Sequence, residues 1–144
     1  MNIRKATKKD FNEIGKLIKE EFIKPPYNEK WSPSASNKTL NHYFKIGYAY
    51  VAVIDKEIVG AIILREEYYV GGLYVIIEEL IVSGKNQGKG IGKELIKKVE
   101  SIAKTKKVHT IYLSANRKSK AFKFYNKLGY KESKQMAVMG KVIK

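Results

Sequence analysis

At 144 residues the chain is expected to form one domain, large enough to bury a core, and its 44% hydrophobic residues fit a globular protein. It has no cysteine, which excludes a disulfide framework, a thiolate metal site and a cysteine nucleophile. The formal net charge of +15 comes from 29 basic residues, yet only Arg4, Arg65 and Arg117 are arginine, so a nucleic-acid reader built on bidentate arginine contacts is not expected.

The lysines instead sit beside glutamates at helical spacing, as in Glu94/Lys98 and Glu100/Lys104, and read as a solvated surface. Such a surface still attracts a polyanionic ligand over long range. No apolar run approaches the ~20 residues of a bilayer span, so no membrane partner is expected. Met1 to Ala6 leads into a strand without a signal-peptide core, which makes the cytoplasm the expected location.

Residues 2–6 read as a first strand. Thr7-Lys8-Lys9-Asp10 is a capping-box variant that opens an amphipathic helix on Phe11, Ile14, Leu17, Ile18 and Phe22. Pro25-Pro26 ends it. Residues 24–37, rich in Pro, Ser and Asn, are expected to be the longest irregular stretch, and Thr39 to Lys45 a short second helix with Leu40, Tyr43 and Phe44 on its apolar side. Two β-branched runs, Tyr48 to Ile54 and Glu57 to Leu64, meet at the hairpin signal Asp55-Lys56. Gly71-Gly72 turns the chain into a fourth strand that runs through Val75 to Val82. Ile91, Leu95, Val99 and Ile102 then recur on one face of a third helix. Val108 to Ser114 reads as a fifth strand, Ser119 to Lys127 as a fourth helix ended by Gly129, and Gln135 to Ile143 as a final strand. The fold class is α/β, in the order β-α-α-β-β-β-α-β-α-β, with helices on the faces of a mixed, mostly antiparallel sheet.

The stretch between the fourth strand and the third helix is the most informative. In Gln87-Gly88-Lys89-Gly90-Ile91-Gly92 three glycines alternate, so backbone N–H groups can turn outward with no Cβ in a ligand's way. The helix that follows adds its own unpaired N–H groups and the positive end of its dipole. That combination suits a phosphate, although six residues alone also fit an ordinary strand–helix turn. A dinucleotide fingerprint needs G-x-G-x-x-G with an acidic residue about twenty positions on, where this chain has Val108 and His109. A P-loop needs four residues between its glycines and a Ser or Thr after the lysine, but Gly90 follows Lys89. Neither applies.

What remains is [Gln/Arg]-x-x-Gly-x-[Gly/Ala], with Gln87, Gly90 and Gly92 at the defining positions. It resembles the acetyl-coenzyme A loop of the GNAT superfamily of N-acetyltransferases. A second stretch, Ala121-Phe122-Lys123-Phe124-Tyr125-Asn126-Lys127-Leu128-Gly129-Tyr130, is similar to that family's A-x-x-F-Y-x-x-x-G-[F/Y] motif. Glu79-Leu80-Ile81-Val82 resembles its L-x-V strand segment, although Ser83-Gly84 stands where a proline commonly follows.

The resemblance implies a GNAT-type sheet, acetyl-coenzyme A as co-substrate and no metal. It assigns the cofactor to Leu80, Ile81 and Val82, to Gln87, Gly88, Lys89, Gly90, Ile91, Gly92 and Lys93, and to Asn116 and Phe124. A backbone N–H of Ile81 or Val82 would meet the acetyl oxygen, and the pantetheine arm would pair with the strand's free edge. An amine is mostly protonated at neutral pH, so a base must act before attack. Glu78 and Glu79 are the candidates, with Glu78 placed on the substrate side by resemblance. Tyr125 would protonate the departing sulfur, although a core aromatic on an amphipathic helix is the plainer reading of a lone tyrosine. His42 and His109 are too far apart in sequence to suggest a metal or a triad.

Acceptor recognition is expected from residues 24–45 and from Glu66 to Tyr69, with Tyr27, Trp31, Glu66 and Tyr68 as candidates. Carboxylates and aromatics together suit a cationic small-molecule amine such as a polyamine or an amino sugar. A protein N-terminus or lysine as acceptor, a non-catalytic acyl-coenzyme A sensor, and a homodimeric assembly all stay open on the sequence alone.

Overall fold

A five-stranded sheet organises the first 114 residues. The computed structural model describes residues 1–144 and divides them into two units, 1–114 and 115–144. In the first unit, β1 (Asn2–Lys5), β2 (Gly47–Ile54), β3 (Glu57–Tyr69), β4 (Gly72–Val82) and β5 (Thr110–Leu113) lie side by side in chain order. β1 to β4 are antiparallel neighbours and β5 joins β4 in parallel. This is the mixed, mostly antiparallel sheet that the sequence pattern predicts.

The turns follow from local chemistry. Asp55 and Lys56 both adopt positive φ, 49° and 67°, which is the backbone that a two-residue hairpin needs to match the strand twist. The first helix, α1 (Phe11–Phe22), is preceded by a 3-10 turn at Lys8–Asp10, where the Asp10 carboxylate accepts from the Thr7 N–H at 2.8 Å. Arg4 grips the same carboxylate at 2.9 Å, and that bond holds the Asp10 carboxyl below its ordinary range.

The second helix, α2, is longer than the sequence reading allowed. It runs Pro33–Ile46, so the irregular stretch ends at Ser32 rather than Asn37. Ser32 caps it by accepting from the Ala35 N–H at 3.0 Å, and Pro33 fills the first helical position, where its missing N–H costs nothing. α1 and α2 approach closely at Gly15, where a Cβ would lie 3.4 Å from Leu40 Cδ1. Ile14, Leu17, Ile18 and Leu40 form one cluster with Ala49, Val51, Ala61, Ile63 and Ile81 of the sheet. Residues that alternate with these, such as Ile62 and Leu64, face the other way. There α3 (Ile91–Thr105) packs, with Ile91 and Leu95 against Gly60.

α3 ends in a Schellman motif: Val108 N–H bonds Ala103 O at 2.8 Å and Lys107 N–H bonds Lys104 O at 3.2 Å. The left-handed position is Lys107, φ 56°, where glycine is usual. Lys107→Gly is therefore expected to stabilise the fold by about 0.5–1 kcal/mol, the left-handed strain less glycine's entropic cost. Thermal melting would show a rise of a few degrees, and an unchanged or lower Tm would mean that Lys107 is not strained.

In the second unit, α4 (Lys120–Lys127) is capped by Ser119, which accepts from Phe122 N–H at 3.2 Å. The strand expected at Gln135 to Ile143 does not form. Met136, Val138, Met139, Val142 and Ile143 are all exposed and no strand pairs with them, so their β-propensity has no ladder to act in. No helix of the chain is long and apolar enough to cross a membrane.

Candidate active site

The glycine-rich loop takes the form its composition requires. Gly88 and Gly90 have φ of 76° and 83°, and a Cβ on either would meet nothing within 4 Å. Gly90 is the N-cap of α3, so the loop passes directly into a helix whose first N–H groups have no partner inside it. The loop is pinned from behind. Gln87 Nε2 donates to Val82 O at 2.9 Å and to the Glu21 carboxylate at 3.1 Å, and the Gly84 N–H donates to Glu21 at 2.8 Å. Gln87 thus fixes the loop to β4 and α1 with its side chain. Lys89 reaches Asn86 at 3.3 Å, while Gly92 and Lys93 lie in the first turn of α3. Open space beside two left-handed glycines at a helix N-terminus fits the pyrophosphate of coenzyme A.

β4 beside this loop has an open edge. Its pairing with β5 runs from Tyr74↔Thr110 to Ile77↔Leu113 and stops, while its pairing with β3 continues to Val82↔Gly60. The last five residues of β4 therefore have no strand partner on the β5 side. The Ile81 carbonyl lies toward Gly60 of β3, so alternation turns the backbone groups of Leu80 and Val82 to the open edge. Of the two candidate oxyanion donors, Val82 is the one whose amide faces that side.

The two carboxylates of β4 are separated by a bulge. Ile63 pairs with Glu79 and Leu64 with Ile77, which leaves Glu78 as the extra residue. Glu79 consequently shares the face of Ile63, under α2. The Tyr43 hydroxyl of α2 donates to its carboxylate at 3.0 Å. Burial pushes the Glu79 carboxyl up to about 7; Glu29 and Glu78 push the same way and the Tyr43 bond opposes them. Burial likewise raises the Tyr43 phenol, so it stays protonated and remains a donor. Glu78 is placed differently. Its carboxylate is gripped by Arg65 Nε, and Arg65 Nη1 holds Glu67.

An open cleft of ≈ 590 Å³ lies here, lined by His42, Tyr43, Ile46, Arg65, Glu66, Glu67 and Glu78. Glu66 is bound by the Lys106 ammonium and accepts from the Tyr48 hydroxyl at 2.7 Å. Against burial, which raises it, these two partners hold the Glu66 carboxyl below its ordinary value. The carboxylates expected to attract a polycation are thus already paired with cations of the protein.

Of the four acceptor candidates named individually, only Glu66 lines the cleft, although His42, Tyr43 and Glu67 from the expected ranges line it too. Tyr27 packs edge-on against Phe22 at 5.0 Å and Trp31 lies half-buried on the same core. Tyr68 sits near the end of the β3–β4 hairpin, 81% exposed. Tyr43, His42 and Arg65 were not singled out as site residues. Their signal is long-range, since each enters the site through strand pairing or helix packing, with no local motif.

The second unit holds the other signature. Tyr130 N–H bonds Tyr125 O at 3.0 Å and Gly129 N–H bonds Asn126 O at 3.1 Å, with Gly129 at φ 92°. The motif's glycine is thus the left-handed residue of a Schellman end, and its two tyrosines are the positions that this end brings together, with rings 5.5 Å apart. Tyr125 is buried, 6% exposed, and the Phe124 ring lies edge-on to it at 5.3 Å. Asn116 Oδ1 accepts from Lys118 N–H at 2.8 Å, so its side chain shapes the turn before α4.

The chain matches the family described as an acetyltransferase (GNAT) domain over residues 8–142. Its fold is similar to a possible acetyltransferase from Clostridium difficile 630, with a TM-score of 0.85, 19% identity, and 99% and 98% of the two chains covered. It is similar to a ribosomal-protein-alanine N-acetyltransferase from Brucella melitensis biovar Abortus 2308, with a TM-score of 0.77, 18% identity and 98% of each chain covered. It is also similar to a transcriptional regulator from Bacillus halodurans C-125, with a TM-score of 0.77, 23% identity, and 97% and 99% covered. At such identities the likeness is one of fold. No curated protein matches the chain. The glycine loop, the open edge of β4, the tyrosine motif and a family match over 8–142 converge, and the chain belongs to the GNAT acetyltransferase family.

Proposed function

We propose that this protein is a cytoplasmic N-acetyltransferase that moves an acetyl group from acetyl-coenzyme A to a primary amine of a small molecule, with Glu79 as the base. Residues 8–142 act in this reading as one acetyltransferase domain. The observation that carries it is the Glu79 carboxyl, poised near 7 under Tyr43, on the strand whose edge is open for a cofactor. A base poised near the working pH both holds and releases a proton readily. Glu78 serves less well, because its carboxylate is engaged by Arg65.

Bound acetyl-coenzyme A would supply an activated acyl carbon. The chain's own groups then have distinct tasks. Glu79 takes a proton from the acceptor ammonium, directly or through a water, leaving a lone pair on nitrogen. The Val82 N–H stabilises the acyl oxygen as it gains charge. The nitrogen would bond to the acyl carbon and shed its second proton as the carbon–sulfur bond breaks, and the Tyr125 hydroxyl would give its proton to sulfur and regain the one that nitrogen sheds. Support for Tyr125 is its place in the family motif. Gly88, Gly90 and the start of α3 hold the pyrophosphate.

Acetyl-coenzyme A with a panel of amines, followed by thiol release, tests the reading. Amine-dependent thiol release is expected for at least one primary amine, and none across the panel would leave a non-catalytic acyl-coenzyme A sensor. Tyr125→Phe is expected to lower kcat by roughly 10²-fold, the low end for general-acid assistance because a thiolate leaves fairly readily, with the KM for acetyl-coenzyme A little changed. A kcat within about twofold of wild type, in an assay limited by chemistry, would remove Tyr125 from the mechanism.

A further inference from the structure

The charges around the cleft are arranged in a way the acetyl-transfer reading does not require. Glu67 and Glu78 share one guanidinium, that of Arg65, while Glu66 holds Lys106. The Arg65 and Glu78 side chains are 27% and 23% exposed, so water screens that pair less than it would at an open surface, whereas Glu67 and Lys106, at 57% and 44%, stand more open. Three carboxylates are therefore bonded to two cations, and Lys5, 5.4 Å over the Tyr48 ring and acting on Glu66, offsets part of the single negative charge left over. One ammonium can be matched by that remainder. A second ammonium finds each carboxylate occupied and would have to displace Arg65, which is tethered to β3 and thus present at a high local concentration.

We propose that Arg65 determines acceptor specificity: its guanidinium holds the place of a second acceptor ammonium, so the cleft gives polyamines and multiply charged amino sugars no advantage over monoamines. This rests on reading the cleft as the acceptor site. Arg65 also ties the β4 bulge to β3 through Glu78. A purely structural role would weaken all amines alike when Arg65 is lost, whereas a specificity role changes their ratio.

The test is an NMR titration of wild type, Arg65→Gln and Arg65→Gln/Glu78→Gln with butylamine and with spermidine, following the amides of residues 42–46 and 65–67. Wild type is expected to bind the two amines within about threefold of each other. Arg65→Gln should bind spermidine at least about tenfold more tightly than wild type does, because one more carboxylate stands unpaired, with butylamine moving less than about threefold. That gain should vanish in high salt and in the double variant. A wild-type preference for spermidine above about tenfold overturns the proposal, and it needs no variant to fold. An unchanged ratio in folded Arg65→Gln overturns it too, as does failure of wild type to bind either amine. Because binding is read without turnover, the expected ratios with no thiol release from acetyl-coenzyme A would support the Arg65 role and overturn the acetyl-transfer reading instead.

Discussion

Glu79→Gln is expected to lower kcat by about 10²–10⁴-fold with an acceptor whose amine is charged at the assay pH, because the three carboxylates that line the neighbouring cleft are each paired with a cation, whereas the Glu79 carboxyl is bonded by Tyr43 and pushed up to about 7. The substitution keeps shape, and Tyr43 can donate to the new side chain's amide oxygen as it does to the carboxylate. Two pH effects should accompany it. The acidic limb of kcat/KM, set near 7 in wild type, should disappear. Stability should also change. Below the ordinary value of 4.5 the Glu79 carboxyl is protonated in folded and unfolded chains alike and costs nothing. As pH rises toward 7 the unfolded chain gives up its proton first, so stability falls across that window and levels off above it. Thermal melts from pH 4 to 8 should show this decline in wild type and lose this part of it in Glu79→Gln. Glu78→Gln should retain the limb near 7. If Glu78→Gln abolishes activity while Glu79→Gln keeps a kcat within about tenfold of wild type, the base is misassigned.

Gly90→Asp should weaken coenzyme A binding by roughly 10–100-fold while the fold stands. Position 90 has φ 83°, which forbids a branched residue but suits Asp or Asn better than most. The Cβ would meet nothing within 4 Å, and an acidic group at the start of α3 is favourable to the helix dipole. The same carboxylate would stand where the pyrophosphate is to lie. At about 4 Å, like charges repel by about 1 to 4 kcal/mol between bulk-water and protein-surface screening, which brackets the expected loss. Gly90→Asn supplies nearly the same volume without the charge and should lose much less. Calorimetry with coenzyme A decides: wild-type affinity in folded Gly90→Asp would remove the loop from the phosphate site.

These two residues show how differently legible the site is. The loop could be read in the sequence because its requirement is local. Gly88 and Gly90 need left-handed backbone, glycine supplies it at no steric cost, and the apolar stripe of α3 follows at once. The same holds for Asp55-Lys56, for the Asp10 capping contact and for Gly129, whose Schellman geometry spans only six residues. Even the start of α2 was written in Ser32-Pro33, a cap and first-turn proline within a stretch read as irregular. By contrast, Glu78 and Glu79 are chemically alike neighbours, and no local rule separates them. Which one faces α2 depends on a one-residue register shift against Ile63 and Leu64, a property of the β3–β4 pairing. Which one is tied up by a cation depends on Arg65, thirteen residues before Glu78, crossing from β3. Strand propensity was likewise insufficient at Gln135 to Ile143, where no strand supplies a ladder. The sequence by itself determined β1 to β5, most of the helices and the left-handed glycine loop, since those are settled within a few residues. Only the tertiary structure decided which carboxylate is half-buried under Tyr43 and which is neutralised, because burial and ion pairing are set by partners that meet only when the sheet is assembled.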